Sequence, residues 1–287
     1  MKLVFSGHES FYCRLFWLKK GYDFLNAGNK FNSHHSVIEL GVGKNMVASI
    51  RYWMEAFGLT NALELTELAH MIFSDDSGLD PYLEHKNTLW ILHLNLIIKA
   101  KASFYSLVFN EFKKQRVEFT KENLLNFLKV QCLDNEQSSN EKILKTDISV
   151  FMRSYLPPNK KFKNLEDDYT ALFQDLRLIR EMGSPLFGSE TWYTFENVDA
   201  KDLDQNVALY GILLNQQYGN SITFNELLNG RNSIGQILCL GSKELLNIID
   251  KIEKTYKGIT FTEDAGVRLF QIQSNLSRDN VLRSCYE

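Results

Sequence analysis

Within the run KNMVASIRYWMEAF, Lys44, Asn45, Ala48, Ser49, Arg51 and Tyr52 are the residues whose types and spacing could do chemistry. At about 100° per residue, Lys44, Asn45, Ala48 and Tyr52 share one helical face, with Ser49 and Arg51 on its shoulders. That set suits the major groove of duplex DNA. Asn can pair with adenine, Arg or Lys with guanine, and a small Ala permits close approach. The opposite face carries Met46, Val47, Ile50, Trp53, Met54 and Phe57, a continuous apolar stripe that must be covered by neighbouring elements. The same pattern also describes a helix that docks a protein, so the spacing leaves DNA and protein both open.

Other chemistry finds less support. His8, Glu9, Cys13 and Arg14 form one dense polar cluster in SGHESFYCR. The spacing of His8 and Cys13 is unlike common zinc arrangements, and no second pair of ligands accompanies them. His8 and Glu9 are instead expected to hydrogen-bond the start of the first helix. His34-His35 stands before the second helix as a capping or phosphate-facing pair, and His93 lies in an apolar helix as a satisfied core histidine. GVGK at 41–44 lacks the upstream glycine of a phosphate loop, and neither a nucleophile elbow nor a dinucleotide fingerprint is present. The expectation is therefore no catalytic residue, no metal and no cofactor.

The elements that must position the polar face follow from the flanking residues. SVIEL, with Val37, Ile38 and Leu40 as a short apolar face, precedes Gly41-Val42-Gly43 and then the long helix, the spacing of a helix-turn-helix. Gly43 suits the cap of the long helix and Gly58 stops it. Cys13 to Leu25 reads as a preceding amphipathic helix, and Leu63 to Phe73 as a minimal wing strand running into another helix. The LWILHLNLII run is apolar nearly all round and must be covered on several sides, yet it is too short to span a membrane.

The pattern recurs. Thr120 caps a helix over residues 121–130, and Ser138 with Glu141 has capping-box spacing ahead of Ile143 to Tyr155. That helix stops before Pro157-Pro158 and leads into a solvated loop with Lys160, Lys161 and Lys163. Thr191 to Phe195 reads as a strand. Further on, Val207 to Tyr218 is helical, Thr223 and Ser242 cap two more helices, and strands over 259–262 and 267–272 flank a turn as a wing would. The exposed face of the last long helix mixes Lys243, Glu244, Asn247, Asp250, Lys251 and Lys254, which favours protein contact over DNA there. The fold class is thus mainly α with small β wings, built from multiple winged-helix units. Residues 1–118 are the amino-terminal winged-helix unit with wrapping helices, 119–200 a middle unit that is helical or winged-helix, and 201–287 a carboxy-terminal winged-helix-like unit.

Composition sets outer bounds. Of 287 residues, 44% are hydrophobic and 23% charged, and four cysteines lie far apart. The latter points to a reducing cytoplasm. Residues 1–60 hold seven basic against four acidic side chains, so a weakly basic amino-terminal unit sits on an acidic body in a chain of net charge −3. A tight, non-specific DNA binder would be far more basic, so weak or assisted binding is expected.

The segments FSGHESFYCRLFWLKKGYDFL, ELGVGKNMVASIRYWMEAFGL and DPYLEHKNTLWILH resemble the bacterial family known as domain of unknown function 4007. SIGQILCL and TEDAGVRLF fit less sharply. The resemblance implies a companion of sulfur-transfer proteins similar to PAPS reductases, in gene islands tied to DNA modification and phage defence. On that footing the partners are duplex DNA and proteins of such a complex. The resemblance supplies no catalytic residue. The rival role in the same setting is a protein-interaction scaffold.

Overall fold

The fold is taken from a computed structural model, which describes residues 3–157, 171–183, 190–273 and 275–287; the expected lysine loop lies outside them. About 51% of the chain is helical and the sheets are small and antiparallel, so the fold is mainly α with small β parts.

The first elements are α1 (Trp17–Asn26), α2 (Ser36–Leu40), α3 (Lys44–Ala56), the two-residue strands β1 (Thr60–Asn61) and β2 (Glu64–Leu65), and α4 (Glu67–Phe73). Helix α1 starts four residues later than Cys13, because the backbone there is already committed. Arg14 bridges to Ala171, and Leu172 N–H donates to the Cys13 carbonyl at 3.4 Å. Gly41 ends α2 in the left-handed region (φ 62°), and Gly43 takes the extended cap conformation that starts α3. The expected apolar face of α2 is corrected. Of its apolar residues only Leu40 turns inward; Val37 and Ile38 are exposed, because a five-residue helix offers one turn to the core. On α3 the stripe is as expected: Val47, Ile50, Trp53 and Met54 are buried, Phe57 follows at the cap, and Met46 is half-buried.

Helix α5 (Lys86–Lys99) is buried on every side and touches α3, α6 (Ser103–Gln115) and later elements from both remaining thirds of the chain. Helix α6 includes a π-helical turn at Val108–Phe112. Among the described residues no single helix is long and apolar enough to cross a membrane; α5 and α6 meet at 93°.

Next come β3 (Glu118–Phe119), α7 (Lys121–Asp134), α8 (Glu141–Tyr155), β4 (Ile179–Gly183) and β5 (Trp192–Phe195), with strand order β3-β5-β4. Then follow α9 (Gln205–Leu214), β6 (Ser221–Thr223), α10 (Phe224–Asn229), α11 (Ile234–Ile237), α12 (Ser242–Thr255), β7 (Ile259–Asp264), β8 (Val267–Ile272) and α13 (Arg278–Ser284), with order β6-β8-β7. The two sheets share one topology. In each, a strand that precedes a run of helices, α7 and α8 in the first and α10 to α12 in the second, pairs with the second arm of the hairpin that follows them.

Capping explains the boundaries. Thr120 with Asn123 and Thr223 with Glu226 form reciprocal boxes. Two expected caps shift. Asn140, not Ser138, accepts from the first amides of α8, and Gly241 takes the cap position of α12, leaving Ser242 inside the helix.

The side chains of His93 and Asn95 on α5 are matched across the molecule, whereas the buried Trp90 Nε1 has no partner among the described residues. His93 Nε2 donates to the Ile237 carbonyl at 3.0 Å, and Tyr155 O–H donates to His93 Nδ1 at 3.1 Å. Asn95 donates to the Tyr210 hydroxyl at 3.0 Å. One continuous cluster of buried apolar residues surrounds these bonds, from Cys13 to Cys285.

Two outcomes are expected. Ile50 is fully buried, so Ile50→Asp places an unpaired charge in the core and costs more than about 3 kcal/mol in urea unfolding. Retention of wild-type stability would mean that the α3 stripe is not packed as described. Burial also pushes the His93 imidazole down to about 3. The unfolded chain then takes up a proton that the folded chain refuses. This contribution is complete above about pH 6.5 and is lost as pH falls through about 3, with a slope of up to about 1.4 kcal/mol per pH unit. His93→Gln should flatten stability between about pH 6 and pH 4 relative to wild type; parallel pH profiles would contradict a neutral buried His93.

Candidate nucleic-acid interface

The buried stripe of α3 fixes which residues face outward. Lys44, Asn45, Ala48 and Arg51 are exposed, and Tyr52 is half-buried. Ser49 is corrected. It is fully buried, because it lies on the same side of α3 as the buried Trp53 and Ala56, and its hydroxyl has no partner among the described residues. Ser49 therefore cannot contact a ligand on this face.

The outward face borders a cleft of about 680 Å³. Lys44, Ala48, Arg51 and Tyr52 line it from α3, Asn32 and His34 from the segment before α2, and Gly7 from the amino-terminal loop. Arg51 donates to Asn32 Oδ1 at 2.9 Å across the rim. Glu55 also lines the cleft, and its charge is countered by Lys101 at 2.6 Å. Burial, with Asp147 and Glu55 nearby, holds the Tyr52 phenol well above its ordinary value, so the ring presents a neutral hydroxyl. His35 occupies the cap position of α2 but makes no side-chain cap, whereas His34 faces the cleft.

Gly7 closes one edge for a steric reason. A Cβ there would sit 2.7 Å from two Tyr52 ring carbons, and its φ is 94°. Ser6, Glu9 and Ser10 also have positive φ, so four of five consecutive residues are left-handed. Side chains outside the loop hold this conformation. Asp147 on α8 accepts from the Ser6 amide at 3.0 and 3.2 Å, and Arg153 donates to the Ser10 carbonyl at 2.9 Å.

His8 anchors the loop, and its expected role at the start of α1 is corrected. The Ser10 amide donates to Nδ1 at 3.2 Å, which leaves the proton on Nε2, and Nε2 donates to Asp147 at 2.9 Å. The ring stacks on Trp53 with centroids 6.0 Å apart. Asp147 lies 139 residues away, so no local spacing marks it. Cys13 donates weakly to the Arg14 carbonyl, and burial pushes its thiol up. Among the described residues no three His, Cys, Asp or Glu side chains gather as a metal site.

The site thus combines cationic and amide side chains with an aromatic floor along one helix and its facing loops. That chemistry suits phosphate oxygens and base edges.

Two solved structures are similar to the chain. One, described as SspB, is 25% identical with a TM-score of 0.84; the other, described as magnesium ion-bound SspB, is 24% identical with a TM-score of 0.83, and that likeness concerns the fold alone. Each comparison covers 98% of this chain and 87% of the other. No curated protein matches. The profile of the family described as protein of unknown function DUF4007 matches residues 5–286, nearly the whole sequence, and the chain belongs to that family.

Proposed function

We propose that this protein binds duplex DNA weakly through the exposed face of α3, as a non-catalytic accessory protein of a bacterial DNA-modification or phage-defence system in the cytoplasm. The cleft carries the reading: Lys44, Asn45, Ala48 and Arg51 face outward beside it while the apolar stripe of the same helix is buried. Asn45 and Ala48 give the close, base-reading part of the face, with Lys44 and Arg51 toward phosphate. Arg51 leaves only one exposed hydrogen bond to Asn32, a loss of about 0.5–1.5 kcal/mol that a phosphate contact replaces. The order α1, α2, α3 and hairpin supports a winged-helix unit, and the shared β3-β5-β4 and β6-β8-β7 topologies support two more. The modification or defence setting, and a PAPS-reductase-like partner, rest on the family resemblance.

A second reading has its own observation. Ile38 is 74% exposed and Val37 is 38% exposed beside the cleft, an apolar edge suited to a protein partner. In that reading the winged-helix units assemble a complex without touching DNA.

The titration of duplex DNA by fluorescence anisotropy separates the two. Lys44→Ala with Arg51→Ala should weaken binding roughly ten- to a hundredfold near 0.1 M salt and reduce the salt slope by up to about 2, with melting temperature nearly unchanged. The series is run with and without magnesium, the ion named for one similar structure. Equal affinity and equal slope would remove α3 from DNA recognition and leave the protein reading. For His8, whose two ring nitrogens are already engaged, His8→Ala should lower the melting temperature by several degrees and abolish no turnover. A nuclease or transferase activity that disappears in a folded His8→Ala protein would contradict the non-catalytic assignment.

A further inference from the structure

We propose that the exposed face of α8 is a second duplex-DNA contact, so that α3 and α8 hold one duplex on either side of the Ser6–Ser10 loop. The inference rests on the reading of α3 as a DNA-contacting helix and extends it to a surface built by a distant part of the chain.

Topology is the first ground. Helix α8 precedes the β4-β5 hairpin as α3 precedes β1-β2, so both hold the same place in their units. The second ground is charge. Lys142, Lys145, Ser149 and Arg153 fall at spacings of three and four residues along the outward face of α8, opposite the buried Leu144, Ile148 and Phe151. Lys129 of α7 stands beside them, 2.7 Å from Glu141. Glu141 is shared between Lys129 and Lys145, which hold its carboxyl down to about 2, and Glu122 acts on Lys145 from further off. Four cations thus face chiefly one carboxylate. Among the described residues Lys142 has no ion-pair partner.

Position is the third ground. Gly7 lines the α3 cleft, and Ser10 lines a groove of about 490 Å³ along α8 with Lys142, Lys145 and Arg153. Three peptide links join Gly7 to Ser10, so their Cα atoms are at most about 11 Å apart. That is close to the width of a major groove, about 12 Å. In the proposed pose α3 sits in the groove and α8 meets the flanking phosphates. The His8–Asp147 hydrogen bond fixes this relation, since it joins the loop to α8 itself. Helix α12 lacks the same character: Asp250 pairs with Lys254, and Glu244 interrupts the face.

The test compares the full chain with Lys142→Ala/Lys145→Ala on a duplex of about two helical turns. Arg153 is left intact because it holds the loop. The variant should bind this duplex with a salt slope lower by up to about 2. Lys142→Glu alone, on an exposed residue without an ion-pair partner among the described ones, should weaken binding further than Lys142→Ala. If the α8 variants bind like wild type while the Lys44/Arg51 variant weakens, the α8 contact is refuted and the α3 reading stands. If neither pair matters, both fall. If only the α8 pair matters, the two-helix grip is refuted. Unchanged DNA binding with loss of a protein partner would assign the α8 face to that partner and also refute the proposal.

Discussion

Helix α5 has to be covered on every side, and this constraint organises the molecule. A run as apolar as residues 89–98 cannot face water, and its two polar side chains cannot be buried unpaired. Their partners come from elsewhere in the chain: Tyr155 at the end of α8, Ile237 in α11 and Tyr210 in α9. Each bond demands that a different segment close over α5. Removing one partner leaves a buried polar group without water, which penalises partial assembly and favours the arrangement in which these three bonds are made. The continuous apolar cluster around α5 is the result.

The candidate interface inherits its geometry from that assembly. Helix α3 rests on α1 and α5, and α8 is held to α5 through Tyr155. Between α3 and α8 lies the amino-terminal loop, whose left-handed residues would not persist in isolation. His8 stacks on Trp53 of α3 and donates to Asp147 of α8, so one imidazole touches both helices. Leu3 adds a backbone pair with the Gln137 side chain, at 2.9 and 3.0 Å, on the same side. The faces of α3 and α8 are thereby both joined to one loop through His8.

Much of the local structure was legible in the sequence because local spacing encodes it. The stripe of α3, the Gly41 and Gly43 turn, the Thr120 and Thr223 caps and the Trp192–Phe195 strand all follow from residues within one or two turns of each other. His93 was readable as a satisfied core histidine because its neighbours are apolar all round. The misses have a common cause. Ser49 sits on the shoulder of the helix, where burial depends on what packs beside it, and α2 is too short for its apolar residues to declare their direction. The partner of His8 lies on α8, and the second cationic face becomes meaningful only beside the loop that brings it to α3. Periodicity gives a helix its faces; it does not give the neighbour each face meets.

Lysine footprinting with and without a long duplex tests the account most directly, because it reads the contact surface on the unaltered chain. Amine labelling of Lys44, Lys142 and Lys145 should fall together on DNA binding, while exposed Lys243 and Lys254 on α12 keep their reactivity. Protection confined to α12, or none at the three lysines under conditions where DNA is bound, would contradict it.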